Sequence, residues 1–423
     1  MTDDGVARLE ALLSPQGREL LDRLGRETVT PDTALRIGTL LRAEYPAELV
    51  RDALAQHELR ERARAKFSRA GEMFFTRDGL EQASAEVVAR HRAARYAGLG
   101  RVADLCCGIG GDLIALAVHA EVLGVDRDGL HLRMAQANAS AYGVAAQVST
   151  LDSDVRDVDL AGVGAVFIDP ARRSGQRRLR TGDSEPPLDW CLNVGGRVGP
   201  VGIKAAPGLA REVVPAGWEL EFVAVGRELK EAVVWSPALA TAARRATILP
   251  AGHTLTGLPD DTDPSDDDGA GAAARAGSGA AAGTGSGDRS GAGAVEVRAP
   301  GEFLFDPNPA VTRAGLVQHL ARLIGAWKID EQIAFLSADR ALHTPFARTL
   351  RVIDSAPWDQ KRLPARLRAL DIGAVDIRRR GLAGDVAQLH RQLKLSGSRR
   401  ATLVMTRAAN RPWALICLDE DHP

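Results

Sequence analysis

The sequence predicts an α/β fold: a doubly wound parallel sheet, preceded by a helical domain and followed by an α+β domain. Three observations carry this prediction. From about residue 101, short apolar runs alternate with amphipathic stretches at the spacing of strands and helices. The first run ends in a glycine-rich turn, Gly108-Ile109-Gly110-Gly111, that opens a helix. Across residues 259–294, six aspartates between Asp260 and Asp268 precede a Gly/Ala/Ser/Thr run, a stretch with almost nothing to bury.

These observations divide the chain into residues 1–66, 67–258, 259–294 and 295–423. The first segment reads as helical. Ser14-Pro15 and Thr30-Pro31 pair a capping hydroxyl with a residue whose φ is already set for a helix, and Leu40, Leu41, Tyr45, Leu49 and Val50 recur at helical spacing. In the second, strands are expected at Val102–Cys106, Glu121–Val125, Gln147–Leu151, Ala165–Ile168, Arg197–Lys204 and Leu220–Val225, with helices at Gly111–Ala120 and Gly129–Ala141. The third is a solvated linker or insertion. In the fourth, a helical pattern over Pro309–Trp327 precedes strands at Ala374–Ile377, Thr402–Met405 and Trp413–Cys417.

Composition bounds the function. The 423 residues are 45% hydrophobic and 26% charged, an ordinary globular balance with room for several domains. No apolar run reaches the ~18–20 residues of a bilayer span, and MTDDGVARLE lacks a secretory pattern. The four cysteines, Cys106, Cys107, Cys191 and Cys417, form no CxxC pair. A soluble protein of the reducing cytoplasm is expected, with no membrane partner. The nine histidines form no HxH or HExxH, so no metal is expected. The net charge of −1 conceals segregation: residues 340–411 hold 16 Lys/Arg against five Asp/Glu.

The glycine turn admits three readings. A dinucleotide fold asks for GxGxxG, whereas this chain has GxGG with Asp104 four residues before the first glycine. An acid followed by GxG suits a cationic, amino-acid-bearing ligand, with Asp104 facing an ammonium and Gly108, Gly110 and Gly111 giving backbone access. A purely structural turn is the third. Asp126, sixteen residues after Gly110 at the end of the second strand, weakens the last: with both lone-pair sets free, its carboxylate can accept from two ribose hydroxyls. Arg127 adjoins it. Asp154 or Asp152, after the third strand, can accept from an adenine amine. Asp169-Pro170 closes the fourth strand, at the crevice where open α/β sheets bind ligands.

Asp104, Gly108-Ile-Gly110, Asp126, Asp154 and Asp169-Pro170 stand in the order and spacing of class I S-adenosylmethionine-dependent methyltransferases, and residues 60–250 resemble that Rossmann-like family. The resemblance implies S-adenosylmethionine as cofactor, seated by these residues together with Cys106, and Asp169 and Pro170 as the catalytic pair. Lys66-Phe67-Ser68-Arg69 and Phe74 to Ser84 resemble the segment that precedes the fold in trimethylguanosine synthases, where it helps close the cofactor site. Phe303 to Gly315 resembles the start of the THUMP-like domain that follows such domains in bacterial proteins, which implies an RNA association.

Amino-methylating relatives carry an aromatic residue two after the proline, where this chain has Arg172. Arginine stacks on bases and pairs with phosphate, so nucleic acid stays compatible while guanine amine methylation is put in doubt. Base-carbon methyltransferases share an acid-Pro-x-Arg motif but need a nucleophilic cysteine. Cys191, the one candidate, lacks that context and reads as core. Arg172, Arg173, Arg177 and Arg178 form a basic loop suited to RNA phosphate. Lys204, at the end of the fifth strand, reads as a solvated loop residue with approach to the substrate as the alternative, and Glu228, Lys230 and Glu231 read as hairpin charges. The expectation is therefore methyl transfer to a base of RNA. The alternatives are a small-molecule or protein acceptor, or a non-catalytic protein that holds cofactor and RNA.

Overall fold

A computed structural model describes residues 2–171, 173–174, 177–178, 184–258 and 295–420. The expected linker, 259–294, lies outside the described residues. The chain divides into two compact units, Met1–Glu219 with Glu231–Thr241, and Leu220–Lys230 with Ala242–Pro423.

The first unit starts with four helices, α1 (Thr2–Leu13), α2 (Pro15–Gly25), α3 (Pro31–Leu41) and α4 (Ala47–Ala63). The Ser14 hydroxyl accepts from Gly17 N to cap α2, and Thr30 forms a reciprocal capping box with Thr33 on α3. Two short helices, α5 (Arg77–Gln82) and α6 (Glu86–Ala93), lead into the sheet region. There β1 (Val102–Leu105), α7 (Gly111–Ala117), β2 (Val122–Asp126), α8 (Gly129–Ala141), β3 (Val148–Asp152) and β4 (Ala165–Ile168) alternate. Two-residue strands β5 (Arg173–Ser174) and β6 (Arg177–Arg178) pair antiparallel, and α9 (Leu188–Val198) precedes β7 (Val201–Ala205). Strands β3, β2, β1, β4 and β7 lie in that order and run parallel. The order reverses between β1 and β4, so a crevice opens at their carboxyl ends.

The second unit contains β8 (Glu219–Val225), whose first residue belongs to the first unit. β9 (Glu228–Trp235) runs antiparallel to β7, and its Glu231–Trp235 part belongs to the first unit. Strands β10 (Arg244–Leu249) and β11 (His253–Gly257) follow; β8 is parallel to β10, and β11 is antiparallel to it. Beyond residue 294 come β12 (Phe303–Pro307), α10 (Pro309–Ala314), α11 (Val317–Ile324), β13 (Trp327–Lys328), β14 (Leu336–Ala338), β15 (Ala347–Pro357), α12 (Leu363–Ala369), β16 (Ile372–Arg379), α13 (Val386–Gln392), β17 (Arg399–Ala408) and β18 (Arg411–Asp419). Their sheet has the order β13-β14-β12-β15-β18-β17-β16 and is antiparallel except where β16 meets β17. Helices α12 and α13 bury Leu363, Leu367 and Leu389 against it, an α+β arrangement.

Beside shifts of one to three residues at strand ends, three boundaries depart from the sequence expectation. Arg197 and Val198 belong to α9, and the strand begins at Val201 after the Gly199-Pro200 break. The first helix after the glycine turn stops at Ala117 rather than Ala120. The pattern over Pro309–Trp327 resolves into two helices, because Gly315 caps α10 in the left-handed conformation, and Trp327 starts a strand.

Tyr96, which precedes β1, fixes the sheet's centre. Its hydroxyl donates to Val166 O at 3.1 Å, and its ring meets Phe167 edge-on and Trp235 at a tilt. Gly202 on β7 makes this packing possible: a Cβ there would stand 2.4 Å from Tyr96 Oη and 2.6 Å from the Trp235 ring. Gly202→Ala should therefore lower stability by about 1–3 kcal/mol, read as a lower urea midpoint. An unchanged midpoint would show that Tyr96 does not hold this position.

Candidate functional site

The first unit holds a cavity of about 540 Å³ at the carboxyl ends of β1, β2, β4 and β7. It brings together most of the residues singled out in the sequence: Asp104, Cys106, Gly108, Gly111, Asp126, Arg127, Asp169 and Pro170 all line it. The geometry follows from register. Asp104 sits one residue before the end of β1, beside Gly124 on β2 and Phe167 on β4.

Asp104 is fully buried, and neither of its carboxylate oxygens has a hydrogen-bond partner among the described residues. Burial pushes its carboxyl well above the usual range, Asp112 and Asp169 add to that, and Arg92 opposes it. An unpartnered buried carboxylate facing a cavity is costly unless something cationic meets it.

Asp126 serves the fold before it serves any ligand. Its Oδ2 accepts from Gly108 N at 2.8 Å, and its Oδ1 from Asp128 N at 3.1 Å. The sequence predicts both lone-pair sets free for a ligand. The structure commits one on each oxygen to backbone, which ties the glycine turn to β2 and leaves one apiece. Gly108 and Gly110 both have positive φ, 51° and 89°. Gly110 does not line the cavity; a Cβ there would lie 3.1 Å from Ala135 Cβ, so it lets the turn pack on α8. Cys106 also has positive φ, 65°, with its side chain partly exposed in the cavity wall, whereas Cys107 is buried. Cys191 is fully buried and donates weakly to Pro186 O, a core residue as expected.

Asp152 and Asp154 do not line the cavity. Asp152 ends β3 opposite Asp126, and Asp154 accepts from Arg156 N and pairs with its guanidinium. Arg172 lies outside the described residues, as do the side chains of Arg173, Arg177 and Arg178. Among the described residues no group of three or more His, Cys, Asp or Glu could hold a metal.

Other wall residues come from the segment that resembles the one preceding the fold in trimethylguanosine synthases. Asp78 to Ser84 form one side. Lys66 donates to the carbonyls of Leu80, Glu81 and Ala83 and fastens this segment, while Asn138 of α8 bonds both Phe74 and Ile109. Thr76 Oγ1 meets His131 Nε2 at 3.0 Å.

The largest departure is a chain of buried charges. Lys204 is 8% exposed, not solvated: its Nζ lies 2.6 Å from Asp169 Oδ2 and 3.0 Å from Ser84 Oγ. Ser84 Oγ accepts from Arg92 at 2.7 Å, and the buried Arg92 guanidinium also binds Asp112 and Glu231. Glu231, expected to be a hairpin charge, is therefore an internal ion-pair partner on β9, whereas Glu228 and Lys230 do pair with each other near the surface. Burial pushes Asp112 up, but Arg92 and Lys204 outweigh it and hold its carboxyl low. Asp169 is raised by burial and Asp112, against the pull of Lys204.

A chain of this kind is costly to break from one end. Arg92→Met should cost about 3–5 kcal/mol at neutral pH, because Asp112 and Glu231 lose the buried cation they share. The stabilising pairing is present above the unfolded carboxylate pKa and lost as pH falls through the lowered folded value of Asp112. The gap between variant and wild type should therefore shrink toward acid pH. Urea unfolding at several pH values measures it, and a pH-independent gap would contradict the assignment.

Comparison with known proteins gives this cavity a context. Residues 99–184 match the family described as RNA cap guanine-N2 methyltransferase, residues 347–419 match a THUMP domain-like family, and residues 4–63 match a domain of unknown function. Uncharacterized S-adenosylmethionine-dependent methyltransferases of two Mycobacterium tuberculosis strains are 38% identical over 342 residues, covering 79% of this chain and 84% of theirs. A crystal structure assigned to a methyltransferase of Porphyromonas gingivalis W83 shares the fold, with a TM-score of 0.66 at 18% identity over 93% of this chain and 99% of that one. Two sequence relatives of this length and identity show the family: the chain belongs to the S-adenosylmethionine-dependent methyltransferases.

Proposed function

We propose that the protein transfers the methyl group of S-adenosylmethionine to a base of RNA. One observation carries the RNA reading. The second unit contains a cleft of about 1100 Å³ lined by Arg227, Arg348, Arg378, Arg399 and Arg400 against only Asp376 and Asp419. Burial lowers the pKa of Arg227; Asp306, which pairs with it, opposes this, and the charges of Arg378, Arg348 and Arg380 add to the lowering. Mutual repulsion of this kind is relieved by a polyanion, and each phosphate neutralised adds counterion-release affinity. Supporting it, the methyltransferase region matches a family described as acting on an RNA cap guanine, and the region around the cleft matches one described as THUMP domain-like. Among the described residues no helix is long and apolar enough to cross a membrane.

S-adenosylmethionine supplies an electrophilic methyl on a cationic sulfur. The protein's task is alignment for in-line attack. In this reading Asp104 faces the cofactor's ammonium, which would satisfy its unpartnered oxygens. The lone pairs that Asp126 retains receive ribose hydroxyls. Gly108 and Gly111 let the backbone lie against the ligand. Asp169 and the Pro170 backbone form the acceptor end of the cavity, where Asp169 takes the hydrogen bond and then the proton of the target group. Asp152 and Asp154 have no part in this scheme, since neither reaches the cavity wall.

Labelled S-adenosylmethionine incubated with total RNA from a strain lacking the protein should label RNA, and nucleoside mass spectrometry should place the methyl on a base. Asp169→Ala should abolish transfer while S-adenosylhomocysteine still binds. Transfer to protein or small molecules alone would reject the RNA reading.

Asp104 adds a pH signature. Its carboxyl is raised in the free protein, whereas a bound ammonium favours the ionised form, so binding should release protons on the acid side. S-adenosylhomocysteine affinity should fall as pH drops through the raised value, and the dependence should vanish in Asp104→Asn. Calorimetry in two buffers of different ionisation enthalpy measures the proton count, and a count of zero throughout would contradict the placement of Asp104.

A further inference from the structure

We propose that Lys204 is a positioning residue for methyl transfer: it holds Asp169 charged and turned so that one carboxylate oxygen stays open to the acceptor. This rests on the methyl-transfer reading of the site and concerns a residue outside the motifs that define it.

The placement is a consequence of register. Strands β4 and β7 run parallel with Ile168 opposite Ile203, so the next residue on each, Asp169 and Lys204, emerge side by side at the cavity. The ammonium takes Asp169 Oδ2 at 2.6 Å, and Ser84 Oγ at 3.0 Å anchors it from the other side. Oδ1 is left for the acceptor. The Lys204 side chain is 9% exposed while that of Asp169 is 25% exposed, so the lysine sits behind the acid and not in front of it.

The chemistry needs that arrangement. A lone pair of the acceptor forms the bond to the methyl carbon. The carbon–sulfur bond breaks with its electron pair going to sulfur, and the acceptor's proton passes to Asp169 and from there to water at the cavity mouth. Asp169 must be ionised when the acceptor arrives. Its surroundings oppose that: Asp112 on α7, Asp104 on β1 and Asp126 on β2 are acidic, and the compensating cations are Lys204 on β7 and Arg92 on α6. Arg92 is already committed to Asp112 and Glu231, so Lys204 is the cation that touches Asp169. A surface lysine would satisfy a carboxylate equally well in solution, but it would not be tethered to the same hydroxyl that Arg92 binds.

The test uses the full chain with S-adenosylhomocysteine bound, in wild type, Lys204→Met and Lys204→Arg. With carboxyl-labelled aspartate, the Asp169 resonance, assigned by its loss in Asp169→Asn, reports ionisation without any substrate. Removing the ammonium leaves the acid among like charges, so its midpoint should rise by at least one pH unit in Lys204→Met and return toward wild type in Lys204→Arg. For methyl transfer, the acid limb of the kcat profile should move the same way while KM for the cofactor changes less than about twofold. An unmoved midpoint in a folded Lys204→Met protein overturns the proposal. A moved midpoint in a protein whose wild type labels no RNA overturns the RNA reading and leaves the positioning role standing. Should Lys204→Met fail to fold, Ser84→Ala removes the lysine's second anchor; a smaller upward shift supports the proposal and none overturns it.

Discussion

The buried guanidinium of Arg92 is the constraint on which the rest of the site depends. It comes from α6, before the sheet begins, and reaches Asp112 on the helix that follows the glycine turn and Glu231 on β9. Its carbon stands 5.1 Å from the centre of the Phe167 ring on β4. One side chain thus joins the leading helix, the turn helix, the central strand and the antiparallel strand beside β7. Burying such a group is not a source of net stability in itself, since desolvation offsets the attraction. What it supplies is a fixed relation between four elements, because any other arrangement leaves two carboxylates uncompensated in a dry interior. The Ser84–Lys204–Asp169 branch hangs on that fixed point.

The parts of the site that sequence makes legible are those whose chemistry is local. Asp104, the glycines and Asp126 are recognisable because a strand, a tight turn and a strand end each impose a residue type at a set distance. The capping pairs Ser14-Pro15 and Thr30-Pro31 are readable for the same reason. Lys204 and Glu231 are not readable, because their partners Asp169 and Arg92 lie 35 and 139 residues away. A lysine at a strand end looks solvated until the register of β4 and β7 sets it against Asp169. Glu231 likewise reads as a hairpin charge because Glu228 and Lys230 stand just before it, and only the strand shows which of the three is buried. Alternation does not mark it either, because in β9 Glu231 starts an entirely buried run to Trp235.

Asp126 and Cys106 show how the turn reconciles folding with access. The turn must expose backbone to a ligand, which removes the hydrogen bonds a helix or strand would supply. Asp126 replaces one of them, to Gly108 N, from outside the turn, while its other oxygen accepts from Asp128 N in its own loop. Cys106 holds a positive φ that glycine would adopt more easily, a conformation that costs an L residue about 1–2 kcal/mol. That cost persists because the residues on either side are fixed, Leu105 in the sheet and Cys107 by its N–H to Val125 O. The strain places a partly exposed thiol in the cavity wall, where glycine would leave only backbone.

Charge is distributed so that each unit suits a ligand of opposite sign. The first unit's cavity gathers Asp78, Asp104, Asp112, Asp126, Asp128 and Asp169 against few cations, a field that favours a positively charged ligand. The second unit's cleft gathers arginines, which favour an anion. A whole-chain net charge of −1 therefore conceals local fields of both signs. A cation directed to the second cleft meets charges of its own sign. The same segregation accounts for Lys204. In a cavity built to attract cations, an acid that must remain ionised cannot rely on bulk solvent, and a lysine tethered from behind supplies the local positive charge without closing the mouth.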